Sequence, residues 1–140
     1  MFTLHERLAA DTLPLGRLKL SHVLLMNDAA YPWLILVPEI DAVRELYDLA
    51  AADRGVLMEE IALVSRALAE TVRPDKINMA ALGNLVPQLH VHVVARFRSD
   101  PAWPAPVWGH AAPRHYPAGE AENLGRRITA RLGPALRTTD

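Results

Sequence analysis

Residues 86–96 read Val86-Pro87-Gln88-Leu89-His90-Val91-His92-Val93-Val94-Ala95-Arg96 and alternate polar with apolar side chains. A period of two belongs to a β-strand with one face in a core and the other free. On such a strand Gln88, His90 and His92 share one face, and Leu89, Val91 and Val93 share the other. Two imidazoles about 7 Å apart on a rigid strand, with a carboxamide beside them, form a preformed reactive edge.

The rest of the chain supplies partners for that strand. Leu18 to Met26 and Trp33 to Val37 read as two strands, joined by the turn residues Asn27 to Pro32 into an antiparallel hairpin. Leu13-Pro14-Leu15-Gly16 reads as a break after a short helix over Leu4 to Ala10. Asp41 suits the N-cap of a short helix over Ala42 to Leu49. Leu57, Ile61, Val64, Leu68 and Val72 step by three or four, which predicts a long helix over Ala51 to Val72, ended by Pro74. Lys76 to Ala81 alternates as a further strand, and Gly83-Asn84 turns the chain into the histidine strand. Five of the 11 prolines lie between Pro101 and Pro117, beside Trp103 and Trp108. That stretch is irregular chain rather than linker, because two indoles seek burial or a partner. Glu120 to Leu132 predicts a terminal helix, stopped by Gly133-Pro134. Strands, then helices, then strands give an α+β layout with a mostly antiparallel sheet, in one domain over 1–140.

Composition removes several function classes. The net charge is −1 with no basic block, which argues against a protein held on a nucleic acid polymer by phosphate contacts. There is no cysteine, so disulfide scaffolds and thiolate metal sites are excluded and a reducing compartment is allowed. The first residues are charged where a signal peptide needs an apolar run, and no stretch of about 18 apolar residues occurs. The expectation is a soluble cytoplasmic protein without a membrane partner. The His-x-His spacing alone leaves three readings open: half of a metal site, an incidental pair on a wetted face, or a nucleophile and its partner. A metal needs a third ligand, and none of His22, His110 or His115 stands at a telling spacing. Arg96 and Arg98 read as a solvated strand end.

The run from Gly83 to Arg96 resembles the signature of the histidine triad (HIT) superfamily, His-φ-His-φ-His-φ-φ with φ apolar, which follows a Gly-Asn or Gly-Gln turn. The order of elements before it is similar too, over about residues 4–96. Gln88 stands at the first histidine position, His90 at the middle one and His92 at the third. A further family histidine, near the entry to the second hairpin strand, appears here as Trp33. The resemblance implies a five-stranded sheet with helices packed on one side, and a homodimer built around the long helix and a strand edge. It implies hydrolysis or transfer at a nucleotide α-phosphate, on dinucleoside polyphosphates, nucleoside phosphoramidates or other nucleotidyl conjugates. His90 would attack phosphorus to give a covalent nucleotidyl-histidine, with no cofactor required. His92, Asn84 and the amide of Gln88 would contact phosphate or leaving group, and backbone N–H groups at Leu85 and Val86 would add donors. Asn27, with Asp28 as its neighbour, would hold the ribose, and Leu25 and Leu36 would flank the base. Without the two family histidines at Gln88 and Trp33, a non-catalytic nucleotide-binding protein on the same fold is the alternative, and a His-x-His metalloprotein a third.

Overall fold

A computed structural model describes residues 1–138, so the last two positions of the expected 1–140 domain lie outside the described residues. Five strands form one antiparallel sheet: β1 (Thr12–Arg17), β2 (Ser21–Met26), β3 (Trp33–Pro38), β4 (Lys76–Ala80) and β5 (Val91–Arg96). Their order is β1-β2-β3-β5-β4, which puts the histidine-bearing strand inside the sheet between β3 and β4. Burial on both faces explains why β3 and β5 are apolar almost throughout.

The two faces have different cores. On one, Val23, Leu25, Leu34, Leu36, Val91, Val93 and Ala95 pack beneath the long helix α2 (Ala51–Val72) and the C-terminal helix α3 (Glu120–Leu132). The stripe predicted for α2 is the face that does this: Leu57, Ile61, Val64 and Leu68 are buried. The helix ends with Arg73 in the left-handed conformation, just ahead of Pro74. On the other face, Leu24, Trp33, Ile35, Val37 and Val94 pack against Leu8 of the short helix α1 (Glu6–Asp11), Tyr31, Val86, Ala102 and Val107.

Three local expectations fail. Residues 13–16 do not break the chain; they lie within β1, an edge strand that tolerates Pro14 because its outer side pairs with no strand. The register shifts between Pro14 and Gly16, and at Gly16 a Cβ would sit 2.5 Å from the carbonyl oxygen of Arg137, which bridges back to Arg17. Asp41 caps no helix; Ala42 has a positive φ, and only a 3-10 turn over Leu46–Asp48 forms, with the Asp48 carboxylate accepting from the backbone N–H of Arg44 and Glu45.

Third, Arg96 is not a solvated strand end. Its side chain is 2% exposed, and Nε and Nη2 donate to the two carboxylate oxygens of Asp100 at 2.8 and 3.1 Å. Nη1 donates to Asn78 Oδ1 and Nη2 also to the carbonyl of Ala105, while the guanidinium lies near the rings of Tyr31 and Trp103. Burial pushes the Asp100 pKa up, but hydrogen bonds from Arg96 and from the N–H groups of Phe97 and Trp103 outweigh it and hold the carboxyl below its usual range. This pair ties the irregular stretch after β5 to the sheet. Asp100→Ala strands a buried guanidinium, so it is expected to cost about 3–5 kcal/mol of stability, read as a lower urea midpoint.

Candidate active site

Strand alternation continues from β5 only as far as the strand itself. Val91, Val93 and Ala95 face α2, so His92 and Val94 face away from it. His90 precedes the strand by one residue and still joins His92, with ring centroids 4.8 Å apart. Both line a cavity of about 630 Å³ with Asn84, Leu85, Val86, Met26, Trp33, Ile35, Val107 and Trp108; Arg7, Leu8 and Asp11 of α1 complete its wall. The lining is apolar at β2, β3 and the Trp108 stretch and polar where the Gly83–Asn84 turn meets the histidines.

The two imidazoles are held in complementary tautomers. His90 Nδ1 lies 2.7 Å from the backbone carbonyl of Gln88. A carbonyl only accepts, so Nδ1 carries a proton, and in that tautomer the lone pair is on Nε2. His92 is held the other way round. The indole Nε1–H of Trp33 donates to His92 Nδ1 at 3.1 Å, which places the His92 proton on Nε2. Trp33 and Trp108 meet the His92 ring edge-on, at centroid distances of 5.6 and 5.4 Å. Burial, and secondarily the charge His90 would carry, push the His92 pKa down to about 3. His92 is therefore a neutral N–H donor through the ordinary pH range. Trp108 Nε1 is buried without a hydrogen-bond partner among the described residues. Such an orphan donor beside a cavity is a ready contact for an acceptor brought by a ligand.

The other predicted site residues divide. Asn84, Leu85 and Val86 line the cavity with the histidines. Gln88 does not. Its Oε1 accepts from the N–H of His5 and its Nε2 donates to the carbonyl of Thr3, both at 2.9 Å, so it pins the N-terminal segment. The reason is local: Gln88 follows Pro87 in a loop, and the period-two geometry begins only at Val91. Asn27 and Asp28 are also engaged elsewhere. Asn27 Oδ1 accepts from the N–H of Tyr116, and Asp28 Oδ1 from those of Ala30 and Arg114, so the hairpin turn tethers the segment before α3. Asn27 and Leu25 line a separate cleft of about 200 Å³ with Tyr116. Leu25 and Leu36 belong to the core under α2, and their neighbours of opposite parity, Met26 and Ile35, face the cavity instead. Among the described residues no three His, Asp or Glu side chains converge as a metal-ligand set. No described helix is long and apolar enough to cross a membrane.

The family model of the HIT domain matches residues 8–99. The chain belongs to the HIT family. Its fold is that of solved HIT proteins. The histidine triad protein of Bradyrhizobium japonicum is 49% identical, with 94% of this chain and 98% of that one covered and a TM-score of 0.91. Those of Sinorhizobium meliloti and Marinobacter aquaeolei are 44% and 48% identical, with TM-scores of 0.92 and 0.86. The first covers 94% of this chain and 97% of its own, the second 97% and 96%. No curated protein matches the chain.

Sequence reasoning missed Arg7, Met26, Ile35 and the contact of Trp33 with His92. The signal for the last was the pairing of β3 with β5, which hydrophobic runs alone do not reveal.

The His92 environment makes HIT-fold stability pH-dependent. An unfolded histidine takes up a proton near pH 6.5, the folded one only near pH 3, so between these the unfolded state holds the extra proton. Stability is therefore full above pH 6.5 and falls on acidification, by about 2 kcal/mol at pH 5. Urea midpoints measured from pH 7 to 4.5 should show this slope, and His92→Gln should flatten it.

Proposed function

We propose that this HIT protein hydrolyses, or transfers from, the α-phosphate of a nucleotide conjugate through a covalent nucleotidyl-histidine on His90. The supporting observation is the pair of imidazoles side by side in one cavity, His90 with Nδ1 engaged by a backbone carbonyl so that Nε2 is left for attack, and His92 with its N–H on Nε2. In the first step His90 Nε2 forms a bond to phosphorus and the leaving group departs with the electron pair of its own bond. The imidazolium so formed keeps the Nδ1 proton on the Gln88 carbonyl. Water then attacks phosphorus and gives up a proton to solvent, the P–N electron pair returns to Nε2, and a nucleoside monophosphate leaves. Such reactions rest on positioning and charge stabilisation. The donors that suit a phosphate here are His92 Nε2–H, Asn84 and the backbone at Leu85 and Val86, with Arg7 as the nearest cation in the wall. Met26, Ile35 and Trp108 supply an apolar slot for the base.

Imidazole is itself the nucleophile, so the displacement needs no resident metal or cofactor. We place the protein in the cytoplasm as a homodimer formed through the outer face of α2, where Met58 and Leu63 stay exposed. A second reading, a nucleotide-binding protein without turnover, is favoured by one observation: Gln88 contributes no side chain to the cavity.

Incubation with diadenosine polyphosphates, with nucleoside monophosphate followed by chromatography, separates the two. Hydrolysis by the wild type and a loss of about 10⁴-fold or more in His90→Ala, with nucleotide binding retained, are expected of the catalyst. Binding without turnover in the wild type would establish the second reading.

A further inference from the structure

We propose that Trp33 is a positioning residue that sets leaving-group specificity: its indole N–H holds His92 as a donor unable to release a second proton, so the site accepts nucleotide conjugates whose leaving group departs as a weakly basic anion. Leaving groups of this class are phosphates, carboxylates and nitrophenolates; alkylamines and alkoxides fall outside it. The inference rests on the nucleotidyl-transfer reading above and narrows its substrate class.

A histidine acts as a general acid by carrying protons on both nitrogens and releasing one. At His92, Nε2 already carries its proton because Nδ1 accepts from Trp33 Nε1 at 3.1 Å. A second proton on Nδ1 would face that N–H donor head-on and break the one hydrogen bond this ring nitrogen makes among the described residues. Nothing among the described residues around the ring compensates. Ile35 lies opposite on β3 and Ala80 opposite on β4, Trp108 covers the ring from the stretch after β5, and the nearest titratable neighbour is His90, whose charge would repel. The charged groups of α1 that reach the cavity, Arg7 and Asp11, sit in its wall half-exposed and 3.7 Å from each other. The burial that pushes the His92 pKa down points the same way. Gln88, whose amide holds no transferable proton, is turned toward Thr3 and His5.

The balance of the step follows. His90 Nε2 forms the N–P bond, the bond from phosphorus to the leaving atom breaks, and its electron pair leaves on that atom. His92 Nε2–H lowers the cost of that charge by hydrogen bonding but keeps its proton. A phosphate or carboxylate is stable as the anion. An alkylamine is not, and must receive a proton as it departs, a contribution worth about 10²–10⁴-fold in rate when a positioned acid supplies it.

The test compares adenosine 5′-phosphoric anhydrides and adenosine 5′-(4-nitrophenyl phosphate) with an adenosine 5′-phosphoramidate of an alkylamine, all at pH 7. Alongside, ¹⁵N NMR follows the imidazoles of the wild type and Trp33→Phe between pH 8 and 4.5. Expected are a kcat/KM for the amidate about 10²-fold or more below that for the anhydride, and a His92 that stays in the Nε2–H form throughout. In Trp33→Phe, His92 should begin to titrate within this range and the amidate-to-anhydride ratio should rise about tenfold at the acid end. Comparable turnover of amidate and anhydride, or a wild-type His92 that titrates near pH 6, overturns the inference while leaving the nucleotidyl-transfer reading intact. Binding with no turnover of any conjugate overturns both. Should Trp33→Phe fail to fold, the wild-type selectivity and NMR titration still decide the matter.

Discussion

Everything at the candidate site depends on the register in which β3 pairs with β5. Ile35 stands opposite His92 and Trp33 opposite Val94, so the indole reaches His92 diagonally across the ladder on the same face. A slip of one residue would turn His92 under α2 and put Val93 in the cavity. The apolar residues of β5 prevent this, because Val91, Val93 and Ala95 fill the core that α2 and α3 cover. The geometry of the site is thus a by-product of core packing: the hydrophobic side of the strand fixes which way His92 faces.

That arrangement has an electrostatic consequence. The side chains over His92 are indole, isoleucine and alanine, and among the described residues no carboxylate pairs with it. Burial in such a cavity keeps His92 neutral, which suits a hydrogen-bond donor and does not suit proton transfer. Trp108 reaches the cavity from an irregular stretch that has little secondary structure of its own. What orders it is the buried Arg96–Asp100 pair at its root, with the Ala105 carbonyl as a further acceptor, and the tether from Asn27 and Asp28 near its end. The polar residues that look most chemical in the sequence are in several places the ones that hold loops.

The legible parts of the sequence were those with strong periods or strong stops. The helices α2 and α3 have the bounds their apolar steps and their Pro and Gly stops indicate. The HIT resemblance carried the sheet. β1 escaped because Pro14 and Gly16 look like breakers, and only its place at the sheet edge makes them acceptable. Gln88 is misplaced because the alternation in sequence reaches it three residues before the strand begins at Val91. Leu25 and Leu36 were misplaced by one step of parity, which sequence cannot assign until the faces of the sheet are known. Arg96 was misread because its partner, Asp100, becomes visible only once the chain folds back on itself. Asn27 and Asp28 look the same whether a turn uses them to bind ribose or to hold the chain near Tyr116. His90 and His92 are legible because the alternation puts them on one face and because the run around them resembles the HIT signature.

The central claim is that His90 Nε2 forms a bond to phosphorus. It is tested most directly by mixing the protein with an α-³²P-labelled nucleoside polyphosphate, quenching in alkali within the first turnover, and mapping the labelled peptide. A label that resists alkali, is lost in acid and sits on the peptide containing His90 is the result predicted. Release of nucleoside monophosphate with no label on the protein, or with the label on another residue, would contradict it.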